Sequence, residues 1–442
     1  MAARATLLIT GLLSAVLLPG VDPAARAVIF PLRVSADHRH LEDQAGRPFM
    51  VVGDTAWSLV AQLSADDIER YLDDRARRGF NAVIVNLIEH KFASRAPANR
   101  HGDAPFLSPG DFGRPNPAYF DFAHRAIEYA AKRGVSVWLC PAYLGWGGGD
   151  EGFFKEIDEA GPDALRSYGE FVGKRFRDLP NIVWMPGGDY ALPPSERWAA
   201  GQLVRGLRDG GSRQPMTAHG GQTSGVETFG DQEWLAVDTV YSYADDLRPP
   251  LLAAYQRQPR RPFVLIESTY EGEHDARPER IRRQAWAAML NGAAGQFFGN
   301  NPMWHFDGPT LFPYAGDWRQ ALDSVGSRDM NRLGVFFSSR TWWGLVPARD
   351  DLTGAPGASA ARSADGRLAV VYVPASGEAR TELTVNLHAL PPTLTAHWFN
   401  PARDEPPRQE RSITTNRDGQ RLQTPGHNGM GANDWVLVLE AR

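Results

Sequence analysis

The sequence predicts an α/β chain: a (β/α)8 TIM barrel followed by a small all-β sandwich domain. Three observations predict it. Eight apolar runs of strand length alternate with helical stretches between Pro48 and Ser339. Most of these runs end in polar or aromatic residues. Beyond Arg340 helical periodicity stops, and short strand-like runs separated by Gly, Asp, Asn and Pro clusters take over. Near-continuous apolar strands separated by amphipathic helices read as a parallel sheet covered on its outside, and eight such units in series fit a closed barrel. The first run ends Gly53-Asp54-Thr55-Ala56-Trp57, which lacks the Gly-rich fingerprint of an open dinucleotide-binding sheet.

Taken in order, the run at 48–54 is strand one. Ser64 then caps a helix whose first turn holds Asp66 and Asp67 and which Gly79 stops. Strand two runs from Phe80 to Ile88 and ends at Glu89 and His90, before a long Pro-, Gly- and Asn-rich loop to about Asn116. A helix over 117–133, strand three over 135–141 and a helix over 163–179 follow. Strand four, 181–185, leads into Pro186-Gly187-Gly188-Asp189-Tyr190. A helix over 195–208 precedes strand five, 215–219. Strand six, 237–243, precedes a helix over 249–258. Strand seven, 262–267, precedes a helix over 277–294, and strand eight, 296–298, precedes a last helix over 318–337. In the C-terminal part, 367–373, 380–387, 393–399 and 434–439 read as strands.

The chain has 442 residues, 43% hydrophobic and 22% charged, an ordinary globular balance. Lys plus Arg number 47 against 52 Asp plus Glu, a formal charge of −5, so nothing marks a nucleic-acid binder. The single cysteine, Cys140, can form neither an internal disulfide nor a Cys-based zinc site. At the N-terminus Arg4, the apolar run Thr6–Leu18 and Ala25-Arg26-Ala27 fit a cleaved secretory signal. The expected organisation is a signal peptide over 1–27, a catalytic barrel over 28–345 and a β-sandwich over 346–442. A secreted or periplasmic protein follows, with no membrane attachment after cleavage.

Barrel enzymes work at the C-terminal ends of their strands. Two carboxylates stand out there. Asp189 ends strand four after two glycines, and Glu267 ends strand seven directly after Phe263-Val264-Leu265-Ile266. Strands four and seven lie across the barrel mouth, so their terminal carboxylates can face one another, which is the equipment of glycoside hydrolysis. Trp57, Tyr143, Trp146, Tyr190, Tyr241, Tyr243, Tyr270 and Trp304 all fall at or just past strand ends, where rings can cover the CH faces of sugars. His219 can orient a carboxylate or bind a hydroxyl. Asp54, Asn86 and Glu89 can form a polar floor for sugar hydroxyls. Asp37, His38 and His40 lie before the barrel and resemble a metal cluster only superficially. No cofactor or metal is expected.

The motifs Gly53-Asp54-Thr55-Ala56-Trp57, Phe80-Asn81, Pro186-Gly187-Gly188-Asp189 and Ile266-Glu267-Ser268-Thr269-Tyr270-Glu271-Gly272 together resemble the apiosidase-like glycoside hydrolases, glycoside hydrolase family 140. Trp398-Phe399-Asn400-Pro401 and Asp434-Trp435-Val436-Leu437 resemble the β-sandwich that commonly follows that barrel, a module with an old collagen-binding label that nothing in these residues supports. The resemblance implies an acid/base on strand four and a nucleophile on strand seven, positions held by Asp189 and Glu267, and release of apiose from pectic side chains as one family activity. The same layout also suits a catalytically silent carbohydrate-binding barrel, a surface adhesion protein acting through its C-terminal domain, or a metal-dependent hydrolase.

Overall fold

The computed structural model describes residues 27–314, 316–414 and 419–441; the signal-peptide segment, except for Ala27, lies outside them. Seven parallel strands make one curled sheet in the spatial order Ile182–Trp184, Ser136–Cys140, Ala82–Asn86, Val51–Thr55, Gly295–Phe298, Phe263–Glu267, Asp238–Tyr241. The strands are buried throughout. Alternation sorts their side chains. Val51, Ile84, Trp138, Val183, Val264 and Phe297 fill the interior, while Val83, Val85, Val137, Leu139, Ile182 and Trp184 meet the surrounding helices.

The segment 215–219 corrects the eight-strand expectation. It occupies the gap between the two outermost strands and is no regular strand: on the strand-four side Thr217 N and His219 N donate to the Trp184 and Pro186 carbonyls, with bridges of Trp184 to Met216 and Gly187 to His219. Toward Asp238–Tyr241 the Thr217 and Thr239 hydroxyls donate to the carbonyls of Val237 and Ala218, each at 2.8 Å. Side-chain hydroxyls here replace part of the backbone ladder, so the barrel closes without a regular eighth strand.

Helix boundaries differ from the pattern where a breaker is tolerated. A helix not expected from the sequence starts at Phe154 and breaks at Gly161, whose φ is +79°; the helix expected from Asp163 follows it, with Pro162 in its first turn, and ends at Phe176. The last helix is two, Trp318–Ala321 and Val325–Ser338, the second capped by the Ser324 hydroxyl on Ser327 N. Three short antiparallel strands, Arg33–Val34, Leu41–Glu42 and Pro48–Phe49, precede the barrel. Leu32, Leu41 and Phe49 join its inner cluster.

The C-terminal part is a six-stranded antiparallel sheet in the order Leu345–Pro347, Ser359–Ser363, Leu368–Val373, Trp435–Ala441, Thr393–Phe399, Arg408–Thr414. A two-stranded ribbon, Glu382–Val385 with Gln420–Gln423, packs Leu383, Val385 and Leu422 on one face of it. The other face lies against the barrel: Tyr372 stacks on Trp286 at 5.9 Å and Phe399 meets Phe336 at 4.9 Å. Among the described residues no helix is long and apolar enough to cross a membrane.

Candidate active site

Bridges continue the barrel past its strand ends on one side, Tyr143 to Gly187 to His219. Gly187 has φ +118°, and a Cβ there would stand 1.9 Å from the His219 carbonyl oxygen. Gly188, at φ +154°, lies against the Tyr143 ring. Only glycines permit this turn, and it delivers Asp189 over the mouth.

Glu267 arrives differently. Phe263 and Leu265 face the outer helices, and Val264 and Ile266 face the interior. Strict alternation would send Glu267 outward. The pairing with Asp238–Tyr241 slips at this point, Val240 opposite Leu265 but Tyr241 opposite Glu267. This bulge re-aims the carboxylate into the cavity.

The two acids converge. Asp189, His219 and Glu267 each place a nitrogen or oxygen within 4.8 Å of the others. His219 is fully buried; its Nε2 lies 2.9 Å from Glu267 Oε2 and its Nδ1 3.8 Å from Asp189 Oδ1. Burial alone would lower the imidazole, but the hydrogen bond to Glu267 and the two nearby carboxylates outweigh it and hold it at about 9. The ring donates from Nε2 to Glu267, while Nδ1 stands too far from Asp189 for a hydrogen bond. Tyr143 donates to Asp189 Oδ2 at 2.6 Å and Tyr243 to Glu267 Oε1 at 2.8 Å. Burial, and then the charge of Glu267, push the Asp189 carboxyl up to about 7.

A cavity of about 520 Å³ opens above this pair, large enough for a sugar or two. Of the residues singled out from sequence, Trp57, Asn86, Tyr143, Asp189, Tyr241, Tyr243, Glu267, Tyr270, Trp304 and Trp146 line it. Trp57 Nε1 donates to the Tyr270 hydroxyl at 3.0 Å, fixing both rings. Trp146 stands at the rim, 55% exposed. Asn86 donates its amide to Glu89, and its buried Oδ1 has no partner.

Four expected residues stand outside the lining. Asp54 faces the helical layer, bonded to Tyr71 at 2.8 Å and to the buried Arg75 at 3.3 Å. Burial pushes it up to about 6 against the pull of Arg75. Glu89 folds back on its own loop, accepting from Ser58, Asn86 and the backbone of His90, Lys91 and Phe92. Both carboxylates therefore hold structure and form no floor for a sugar. Tyr190 turns away to bond Glu196 and pack on Phe154. His219 acts from behind Glu267. His40 bonds within its own strand pair and sits edge-on to Trp342, apart from any site.

The structure adds lining residues that sequence reasoning missed: Phe92, Thr269 and Glu273, with Leu311 and Phe312 at the entrance. Glu273 lies on the loop after Glu267, and its spacing from that residue was the available signal.

A family model for the apiosidase-like catalytic domain matches residues 35–344. Solved structures share the fold. One, described as a glycoside hydrolase, has 22% identity and a TM-score of 0.79, covering 92% of this chain and 96% of that one. Another is a glycoside hydrolase family 5 protein from Bacteroides vulgatus ATCC 8482, with 22% identity, a TM-score of 0.78 and coverage of 92% and 93%. A maltogenic α-amylase from Thermotoga neapolitana has 10% identity, a TM-score of 0.56 and coverage of 89% and 99%. At such identities the likeness is one of fold. Among curated proteins no match to this chain emerges.

Proposed function

The chain belongs to the apiosidase-like family of glycoside hydrolases, and from that premise we propose that it cleaves an O-glycosidic bond in a plant or bacterial polysaccharide with retention of configuration. Glu267 attacks the anomeric carbon. Asp189 gives its proton to the departing oxygen, then takes one from the water that releases the glycosyl-enzyme.

One observation carries this reading: oxygens of the two carboxylates stand within 4.8 Å at the base of an aromatic cavity. Retaining enzymes hold their carboxyl groups about 5–5.5 Å apart, and inverting ones leave about 6.5–9.5 Å for a water. The raised Asp189 keeps a proton available near neutral pH, as a general acid needs. His219 and Tyr243 hold Glu267 in place from two sides. Trp57, Tyr143, Tyr241, Tyr270 and Trp304 surround a sugar ring, Trp146 offers a platform for the next one, and the free Asn86 oxygen accepts a hydroxyl.

The substrate of this reading is an apiose-bearing pectic side chain, in keeping with the match to an apiosidase-like catalytic domain. The N-terminal pattern supports export to the periplasm or medium with cleavage after Ala27, leaving 28–345 as the catalytic unit and 346–442 as its sandwich; mass spectrometry of the mature protein checks the cut. The central test measures Asp189→Asn and Glu267→Gln on a panel of plant and bacterial polysaccharides, with NMR of the first anomer released. Near-wild-type turnover in either variant removes that residue from its role. A first product of inverted configuration removes the retaining mechanism.

A further inference from the structure

The loop after Glu267 carries two more acids, and they do opposite things. Glu271 points out of the cavity, where its carboxylate accepts from Asn300 Nδ2 at 2.8 Å and Gly326 N at 2.9 Å. Glu273 points in. It is 5% exposed and lines the same cavity as Glu267. Its Oε1 accepts from the Trp304 indole at 2.8 Å. Among the described residues no donor reaches its second oxygen and no cation pairs with it.

Thr269, two residues beyond Glu267, adds an independent sign. It too is 5% exposed, lines the cavity, and its hydroxyl has no partner. A largely buried carboxyl with no counter-ion and one oxygen left to the cavity, beside an unbonded buried hydroxyl, is a costly arrangement that a ligand can complete. Burial pushes the Glu273 carboxyl up to about 7, so near neutrality it can donate as well as accept.

We propose that Glu273 and Thr269 form the hydroxyl-recognition pair for the sugar ring held beside Glu267, the free carboxylate oxygen and the free hydroxyl meeting hydroxyls of that ring. The inference rests on the glycosidase reading above and names the residues that select the glycone. A purely structural Glu273 would serve only to hold Trp304. The two roles separate under Glu273→Gln, which keeps an acceptor for the indole but turns an amide N–H2 toward the ring. Thr269→Val keeps the shape and removes the hydroxyl.

The experiment follows the indole N–H signals of 15N-labelled protein during titration with D-glucose, D-galactose, D-mannose, D-xylose, L-arabinose and D-apiose, with Trp304 assigned through Trp304→Phe. In the wild type at least one sugar shifts the Trp304 signal. Glu273→Gln and Thr269→Val each weaken that sugar by about ten- to a hundredfold and about fivefold respectively, the losses expected for a charged and a neutral hydrogen bond. Wild-type affinity in both variants overturns the pair, as does a Trp304 signal that no sugar moves in the wild type. Sugar binding that behaves as expected in a protein hydrolysing none of the polysaccharides supports the pair and removes the glycosidase reading alone.

Discussion

Two buried clusters of charge invite comparison, one at the cavity and one where the barrel meets the C-terminal sheet. At that joint Arg282 gives Nε and one terminal nitrogen to Asp434 at 2.8 and 2.7 Å and the other to Asp329 at 2.9 Å. Tyr372 and Asn428 donate to the same Asp434 at 2.9 and 2.7 Å, and Arg332 completes Asp329 at 2.8 Å. At the cavity, Asp189 Oδ1 and His219 Nδ1 are buried with no hydrogen-bond partner. Both clusters are largely buried, and burial raises Asp329 to about 6 as it raises Asp189 to about 7. Burial and a shifted carboxyl therefore do not distinguish chemistry from scaffolding here. Placement of the facing carboxylates at an open, aromatic-lined cavity does.

The sharpest way to break this contrast is at the cavity. Glu267→Gln should cut kcat on the order of 10³-fold or more, and Asp189→Asn about 10²- to 10⁴-fold on substrates with poor leaving groups. Circular-dichroism melts of Asp189→Asn should match the wild type near neutral pH, because the carboxyl it replaces still holds its proton there. Arg282→Met should do the reverse. Stranding Asp434 and Asp329 without their cation should cost about 3–5 kcal/mol in chemical unfolding, while turnover per folded molecule stays unchanged. Tyr243→Phe removes one charge-assisted bond to Glu267 and should lower kcat about ten- to a hundredfold with little change in melting.

The smallest effect sharpens the electrostatics. With Asp189 as the acid, kcat/KM should fall as pH rises through about 7. The folded state keeps that proton up to about 7, whereas the unfolded chain releases it near 3.8. The stability this carboxyl contributes is therefore present below that range and lost as pH rises through it. Carbon-13 NMR of the Asp189 carboxyl in Glu267→Gln should show its titration moved down but still above the ordinary range, because burial, the larger cause, remains.

Most of the barrel is legible in the sequence because its strands are apolar on both faces, and the helices between them keep their period. The segment 215–219 keeps a backbone ladder toward Ile182–Trp184 but meets Asp238–Tyr241 through Thr217 and Thr239 hydroxyls, which strand patterning does not register. In the C-terminal part, Arg408–Thr414 escapes notice because five of its seven side chains are exposed and polar or charged, a strand with hardly an apolar face. Within the site, Asp189 and Glu267 can be read from their places at strand ends. Asp54 and Glu89 occupy equivalent places, and only the fold shows Asp54 meeting Arg75 and Glu89 closing its own loop. Glu267 itself reaches the cavity through a register slip that no period in the chain announces.

The C-terminal sheet, pressed between its ribbon on one side and Trp286, Phe336 and Phe337 on the other, has a bearing on how this architecture can be cut and recombined. A chain ended at residue 345 would bare those rings and leave Arg282 facing open solvent without Asp434. The catalytic half is thus no free-standing cassette. Any gene fusion or domain shuffle that carries it must bring its neighbour along or rewrite their common wall.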